Sequence, residues 1–210
     1  MELYAKISEE LNALGITEIE GLERRFIELY DSTSLLVSKH FGTTFMANKE
    51  AVRETVNKVW CQDGKVWNTR VWEHICSLQQ RLMTSLSDAI VAGVSVDKLT
   101  ENIMYEFNVG YHNACRLART EMAHIYNTAS VDRYKDAGAE YYQWVAAAGD
   151  KPVQSRITIG GKSYYRDIKV CEQCEELDGQ IFPITDTEHI PPNFTHPNCR
   201  CAIVPILNKN

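Results

Sequence analysis

Proline is missing from the first 151 residues of this 210-residue chain; all six prolines lie between positions 152 and 205. A proline inside a helix removes a donor and crowds the preceding turn. Its absence leaves the N-terminal two thirds free to form long helices and excludes a polyproline segment there. No apolar run approaches the ~20 residues that cross a bilayer, so no membrane-spanning helix is expected. Residues 1 to 6 begin an amphipathic pattern rather than an apolar leader, so no secretory signal is expected. Basic charge is also in short supply. The formal net charge is -6, which excludes a protein whose main task is to coat nucleic acid. A nucleophile elbow, a phosphate-cradling glycine loop and an H-E-x2-H helix are all absent.

Hydrophobic residues make up 44% of the chain, enough for a real core in one large or two modest domains. Up to about residue 137 the apolar spacing is helical. Leu3, Ile7, Leu11 and Leu14 form one stripe, which Gly15 is expected to end. A long helix is expected over 18–40 and another over 48–60. Val71, Ile75, Leu78, Leu82, Leu86 and Ile90 mark a third, ended by Gly93. Ser95 reads as the N-cap of a helix through Phe107, and a further helix runs from Ala114 to Gly138. Beyond residue 139 the texture changes. Tyr141–Val145, Arg156–Ile159, Lys162–Tyr165, Gln180–Phe182 and Ala202–Val204 read as strands, with Gly160-Gly161 as a hairpin turn. The fold class expected is α+β, a helical N-terminal bundle followed by a small mixed module.

Four of the seven cysteines crowd into the last forty residues. Cys171 and Cys174 form a C-x2-C knuckle; His196, Cys199 and Cys201 form H-x2-C-x-C. Thiolate and imidazole donors together favour zinc over oxygen-loving cations, and a closed zinc site needs four of these five. Cys171, Cys174 and His196 are the first three ligands expected. Cys199 and Cys201 would point to opposite sides of an extended chain, so only one of them is expected to reach the ion. A disulfide, packed thiols or a redox C-x2-C are the other uses open to the same residues. Cys61, Cys76 and Cys115 lie scattered in helical sequence and are expected to be ordinary packing residues.

The segment Ala118-Arg119-Thr120-Glu121-Met122 precedes this knuckle. Leu177-Asp178-Gly179-Gln180 follows it, and Pro191-Pro192 and His196-Pro197-Asn198-Cys199-Arg200-Cys201 come later. This order resembles the phage head morphogenesis family, the minor head proteins similar to protein F of Mu-like phages. The resemblance covers residues 95–206 and departs from the family at Lys169-Val170, where Arg-Thr is usual. The stretch 146–166 is also longer than usual. The resemblance implies a head morphogenesis-like α+β module with the zinc site over 95–210, behind a variable helical docking region over 1–94. It implies a virion head component made in the bacterial host cytoplasm and present in multiple copies. The expected partners are portal or capsid protein, and the expected role is head assembly or DNA packaging and delivery, without catalysis.

Arg119, Glu121 and Asp178 are expected to form a structural clamp, with a buried guanidinium tying the helix to the zinc module. Arginine with glutamate is also found at ADP-ribosyl-transfer sites. A toxin-type transferase, or a zinc-dependent nuclease or hydrolase using Asp167, Glu176 or Asp178, is therefore the alternative function. Lys162, Arg166 and Lys169, interleaved with Tyr164 and Tyr165, form a basic-aromatic patch that could touch packaged DNA. Tyr30, Phe41, Phe45, Trp60, Trp67 and Trp72 are the expected docking anchors. His112 and His124 read as satisfied or exposed histidines.

Overall fold

The computed structural model describes residues 2–61, 63–149, 156–159, 162–166 and 170–207, with only the backbone of 148–149, 156–159 and 162–166 considered. The Gly160-Gly161 turn and Asp167 lie outside these residues, as do the side chains of the basic-aromatic patch. Four helices come first: α1 (Glu2–Phe41), α2 (Lys49–Val56), α3 (Trp67–Ala92) and α4 (Val96–Asp136). They are followed by β1 (Tyr141–Val145), β2 (Ala148–Gly149), β3 (Arg156–Ile159), β4 (Lys162–Arg166), α5 (Glu172–Leu177), β5 (Ile181–Pro183) and β6 (Ala202–Ile206). This is the α+β architecture expected, helices first and a small sheet-bearing module after. No helix is long and apolar enough to cross a membrane among the described residues.

Contacts group the chain into two compact units. One comprises Met1–Phe26 and Glu54–Arg119, the other Ile27–Arg53 and Thr120–Asn210. The grouping differs from the 1–94 and 95–210 partition read from the sequence, because α1 and α4 each contribute to both units.

In the first unit α3 buries Val71, Ile75, Leu78, Leu82 and Leu86. Ile90, expected to extend that stripe, is 68% exposed. Gly15 does not end a helix. A Cβ built there would sit 2.7 Å from Cζ3 of Trp72. The glycine is therefore a seat for an indole ring, and the helix runs on through it. Phe26 packs edge-on against Trp67, ring centroids 5.2 Å apart, and the Trp67 Nε1–H donates to Asn57 Oδ1 at 3.1 Å.

Ser95 caps α4 as expected, its Oγ accepting from the Lys98 amide at 3.3 Å. The helix then continues to Asp136 as one element where two were expected. Asn48 caps α2 through bonds from the Glu50 and Ala51 amides, and that helix is shorter than expected.

In the second unit β1 is the central strand of an antiparallel sheet ordered β5-β1-β6; Tyr142 pairs with Phe182 on one side and Pro205 on the other. A second sheet has the order β2-β4-β3. Alternation along β1 buries Tyr142 and Trp144, and the two serve different cores. Tyr142 joins Val131, Tyr134, Ile184, Ile190 and Ile203, against which Val37 and Phe41 pack. Trp144 joins Cys174, Leu177, Cys199 and Cys201.

The aromatics expected to be docking anchors are engaged within the chain. Tyr30 and Trp67 are buried, and Phe41 packs on Tyr134. Phe45 lies under the Arg133 guanidinium, Trp60 under that of Arg70, and Trp72 fills the space left at Gly15.

Candidate metal centre

The C-x2-C knuckle sits at the start of a short helix. Cys171 is the N-cap of α5, its Sγ accepting from the Cys174 amide at 3.4 Å. Glu172 and Glu175 stand in the first turn, where carboxylates complement the exposed amides. One helical turn separates Cys171 from Cys174 and sets both sulfurs on the same side. At the other end of α5, Asp178 is the C-cap, and its Oδ1 accepts from the Ala146 amide at 2.9 Å. The Gly179 amide donates to Trp144 O, and the Trp144 amide to Gln180 O. The Leu-Asp-Gly-Gln run is thus the latch that seats the knuckle on β1.

His196, Cys199 and Cys201 arrive from the other side on the proline-rich loop. The Cys199 amide donates to His196 O, and Asn198 takes a positive φ of 65°. This tight reversal puts His196 Nε2 3.1 Å from Cys171 Sγ and 3.5 Å from Cys174 Sγ; Cys174 Sγ lies 3.7 Å from Cys199 Sγ. Two donor triads result, Cys171–Cys174–His196 and Cys174–Cys199–Cys201, which share Cys174. The expectation that Cys199 and Cys201 point apart is not met. The chain is not yet in β6 at these positions, and both sulfurs face Cys174 and are buried.

The donor set fits a metal by three tests. Zinc bonds of about 2.3 Å to sulfur and 2.0 Å to nitrogen at tetrahedral angles place ligand atoms ~3.8 Å apart for two sulfurs and ~3.5 Å for sulfur and nitrogen. The Cys174–Cys199 and Cys174–His196 separations match those edges, while the 3.1 Å between Cys171 Sγ and His196 Nε2 is shorter than the sulfur–nitrogen edge. His196 Nδ1 lies 2.8 Å from Pro197 O. A carbonyl only accepts, so Nδ1 carries a proton, and in the neutral ring Nε2, which faces the sulfurs, is the nitrogen open to a metal.

The third test is electrostatic. Contacts with the Cys174 and Cys201 sulfurs draw the Cys199 thiol down to about 2, against the effect of its burial. Cys174 is pushed up by its contacts with Cys199 and Cys201. Cys201, lowered by Cys174, is carried up to about 12 by Cys199 and burial. Sulfurs this close cannot all ionise beside one another unless a cation neutralises them. None of the seven cysteines is in a disulfide, and 3.7 Å is far beyond a disulfide's ~2.05 Å.

Helix α4 holds this loop through three polar side chains, of which the sequence reading had considered His124 by itself. Thr120 Oγ1 accepts from the Asn198 amide at 3.0 Å. His124 Nδ1 lies 2.7 Å from Asn193 Oδ1, so His124 is the satisfied histidine expected. Asn127 is fully buried, and its Nδ2 donates to Ala123 O, Pro191 O and Cys201 O. Thr120, His124 and Asn127 follow helical spacing, with Val131 and Tyr134 continuing the same face into the aliphatic core. Of the expected clamp, Glu121 is buried, Asp178 holds the Ala146 amide, and Arg119 is exposed rather than buried. A signal for the true clamp existed in the period: polar residues at 120, 124 and 127 lie in register with apolar 131 and 134.

Comparison with protein-family models, curated proteins and solved structures finds no match.

Proposed function

We propose that this chain is a structural, non-catalytic minor head protein of a tailed phage or prophage. In this reading it sits with the portal or capsid of the virion head in multiple copies and acts in head assembly or in packaging and delivery of DNA. Its C-terminal module is held by a structural zinc on four of the five donors Cys171, Cys174, His196, Cys199 and Cys201. One observation carries the reading. The segments that bear the family resemblance are bonded to one another: Thr120 of A-R-T-E holds Asn198 of H-P-N-C-R-C, and the two cysteine segments converge on Cys174.

Five donors exceed the three protein ligands of a catalytic zinc, which supports a closed site whose binding energy is folding energy. Zinc would supply charge neutralisation for the thiolates and fix both ends of the proline-rich loop. Contact with packaged DNA would fall to residues 162–169, whose side chains lie outside the described ones.

The test is fractionation of heads from cells that carry the gene. The chain is expected to co-purify with portal-containing particles at a fixed ratio to the portal. Abundant chain in the lysate with none in purified heads or on the portal contradicts the proposal. Catalytic turnover lost in Glu121→Gln with folding intact would instead establish the enzyme alternative.

A further inference from the structure

Helix α4 carries an exposed face within the first unit. Met104 is 67% exposed, Tyr105 65% and Tyr111 66%. Single exposed apolar residues are ordinary, but three large ones within two turns form a patch. The opposite side of the helix is occupied: a Cβ on Gly110 would lie 3.5 Å from Leu78 Cδ2, and Glu106 pairs with Arg81 at 2.7 Å. At about 100° per residue, Asp97, Glu101, Met104, Tyr105, Tyr111 and Arg119 all project within roughly 60° of the direction of Asn108. Charge divides along this face, with Asp97 and Glu101 before Asn108 and Arg119 after it.

The division has a symmetry. Turned end for end about Asn108, the helix sets Tyr105 opposite Tyr111 and Asp97 opposite Arg119, with Glu101 one turn from the same arginine. We propose that this face binds a second copy of the chain, α4 against α4, antiparallel, with the two-fold axis passing at Asn108. A parallel pair would set Glu101 on Glu101 and Arg119 on Arg119, which like-charge repulsion disfavours. An isologous contact requires a self-complementary patch, and this face is one. The Lys98–Glu101 pair within the helix is no obstacle, since both side chains are largely exposed and such pairs are weak.

From Asp97 to Arg119 the face is about 33 Å long. An aromatic side chain has some 150–250 Å² of surface, so each exposed tyrosine contributes roughly 100 Å² or more. Two copies would bury on the order of 1,000 Å² in total, at the low end of specific interfaces. The dimer is therefore concentration-dependent and salt-sensitive, with charge setting its orientation.

Sedimentation equilibrium of the full chain tests this. A monomer–dimer equilibrium in the micromolar range is expected at low salt, weakening about tenfold or more at high salt. Glu101→Arg and Arg119→Glu should each shift the chain to monomer. Both positions are exposed, and circular dichroism checks that the fold is kept. The triple variant Asp97→Arg/Glu101→Arg/Arg119→Glu, which reverses both carboxylates facing position 119 along with the arginine, should dimerise again at close to the original constant. A chain that stays monomeric at about 100 µM in low salt overturns the proposal. So does a dimer indifferent to both single reversals, or one that both reversals weaken and the triple variant fails to restore.

Discussion

Asn127 is buried in the second unit with one amide group donating to three carbonyls, two of them on the loop that carries the metal donors. Truncating it takes that donor from the buried Pro191 and Cys201 carbonyls, while Ala123 O keeps the backbone bond of its own helix; each buried group left unsatisfied costs about 1–3 kcal/mol. Asn127→Ala is expected to lower the stability of the second unit by about 2–4 kcal/mol, read from denaturant unfolding. Arg119→Ala, at an exposed position eight residues earlier, should change it by less than about 0.5 kcal/mol at concentrations where the chain is monomeric. Equal losses would mean that the charged residue, not the amide, holds the module.

The sequence reading chose Arg119 for its charge and planar donors, and the choice failed because charge does not reveal burial. The metal donors were legible for the opposite reason. Cysteine and histidine at C-x2-C and H-x2-C-x-C spacing have few other uses, whereas an asparagine in a helix has many. The facing of Cys201 was not legible, because it follows from a left-handed Asn198 and a reversal that no short motif announces.

At the scale of elements, the two glycines inside α1 separate propensity from packing. Gly21 has nothing within 4 Å of an added Cβ, so Gly21→Ala should gain about 0.5–1 kcal/mol from helix propensity alone. Gly15→Ala gains the same propensity but drives its Cβ to 2.7 Å from the Trp72 ring. Overpacking of this kind costs about 1–3 kcal/mol, so the net effect should be destabilising. Thermal melts of the two variants should move in opposite directions, and a rise in both would show that Trp72 yields freely.

The same pair explains a boundary error. Glycine ends many helices, but one seated under an indole does not, and only the tertiary partner distinguishes the cases. The start of α4 and the strand β1 were legible because a capping serine and a run of aromatic and β-branched residues are local signals. Helix α5 was not, since six residues with one ligand at the cap and one inside carry too little periodicity to announce a helix.

For the whole molecule, the important fact is that Ile27–Arg53 groups with the C-terminal module. Val37 and Phe41 pack against the core that holds Tyr134 and Tyr142, and Tyr30 donates to Asp132 at 2.6 Å. A chain lacking residues 1–94 is therefore expected to lose cooperative unfolding of the module, because it loses those core partners. A sharp thermal transition in that truncated chain would refute the grouping. The 1–94 boundary followed the end of the recognisable motifs, which mark the metal loop and its helix rather than every residue that packs on them.

The central claim is that the Cys/His cluster binds one metal ion that staples the second unit. Native mass spectrometry of the purified full chain, with and without a strong chelator and paired with a thermal melt, addresses it directly. The account predicts one zinc per chain, lost together with a large part of the module's thermal stability on chelation, and absent from Cys174→Ser but retained in Cys61→Ser. A chain that carries no metal after purification in zinc-containing medium, and melts at the same temperature with or without chelator, would contradict it.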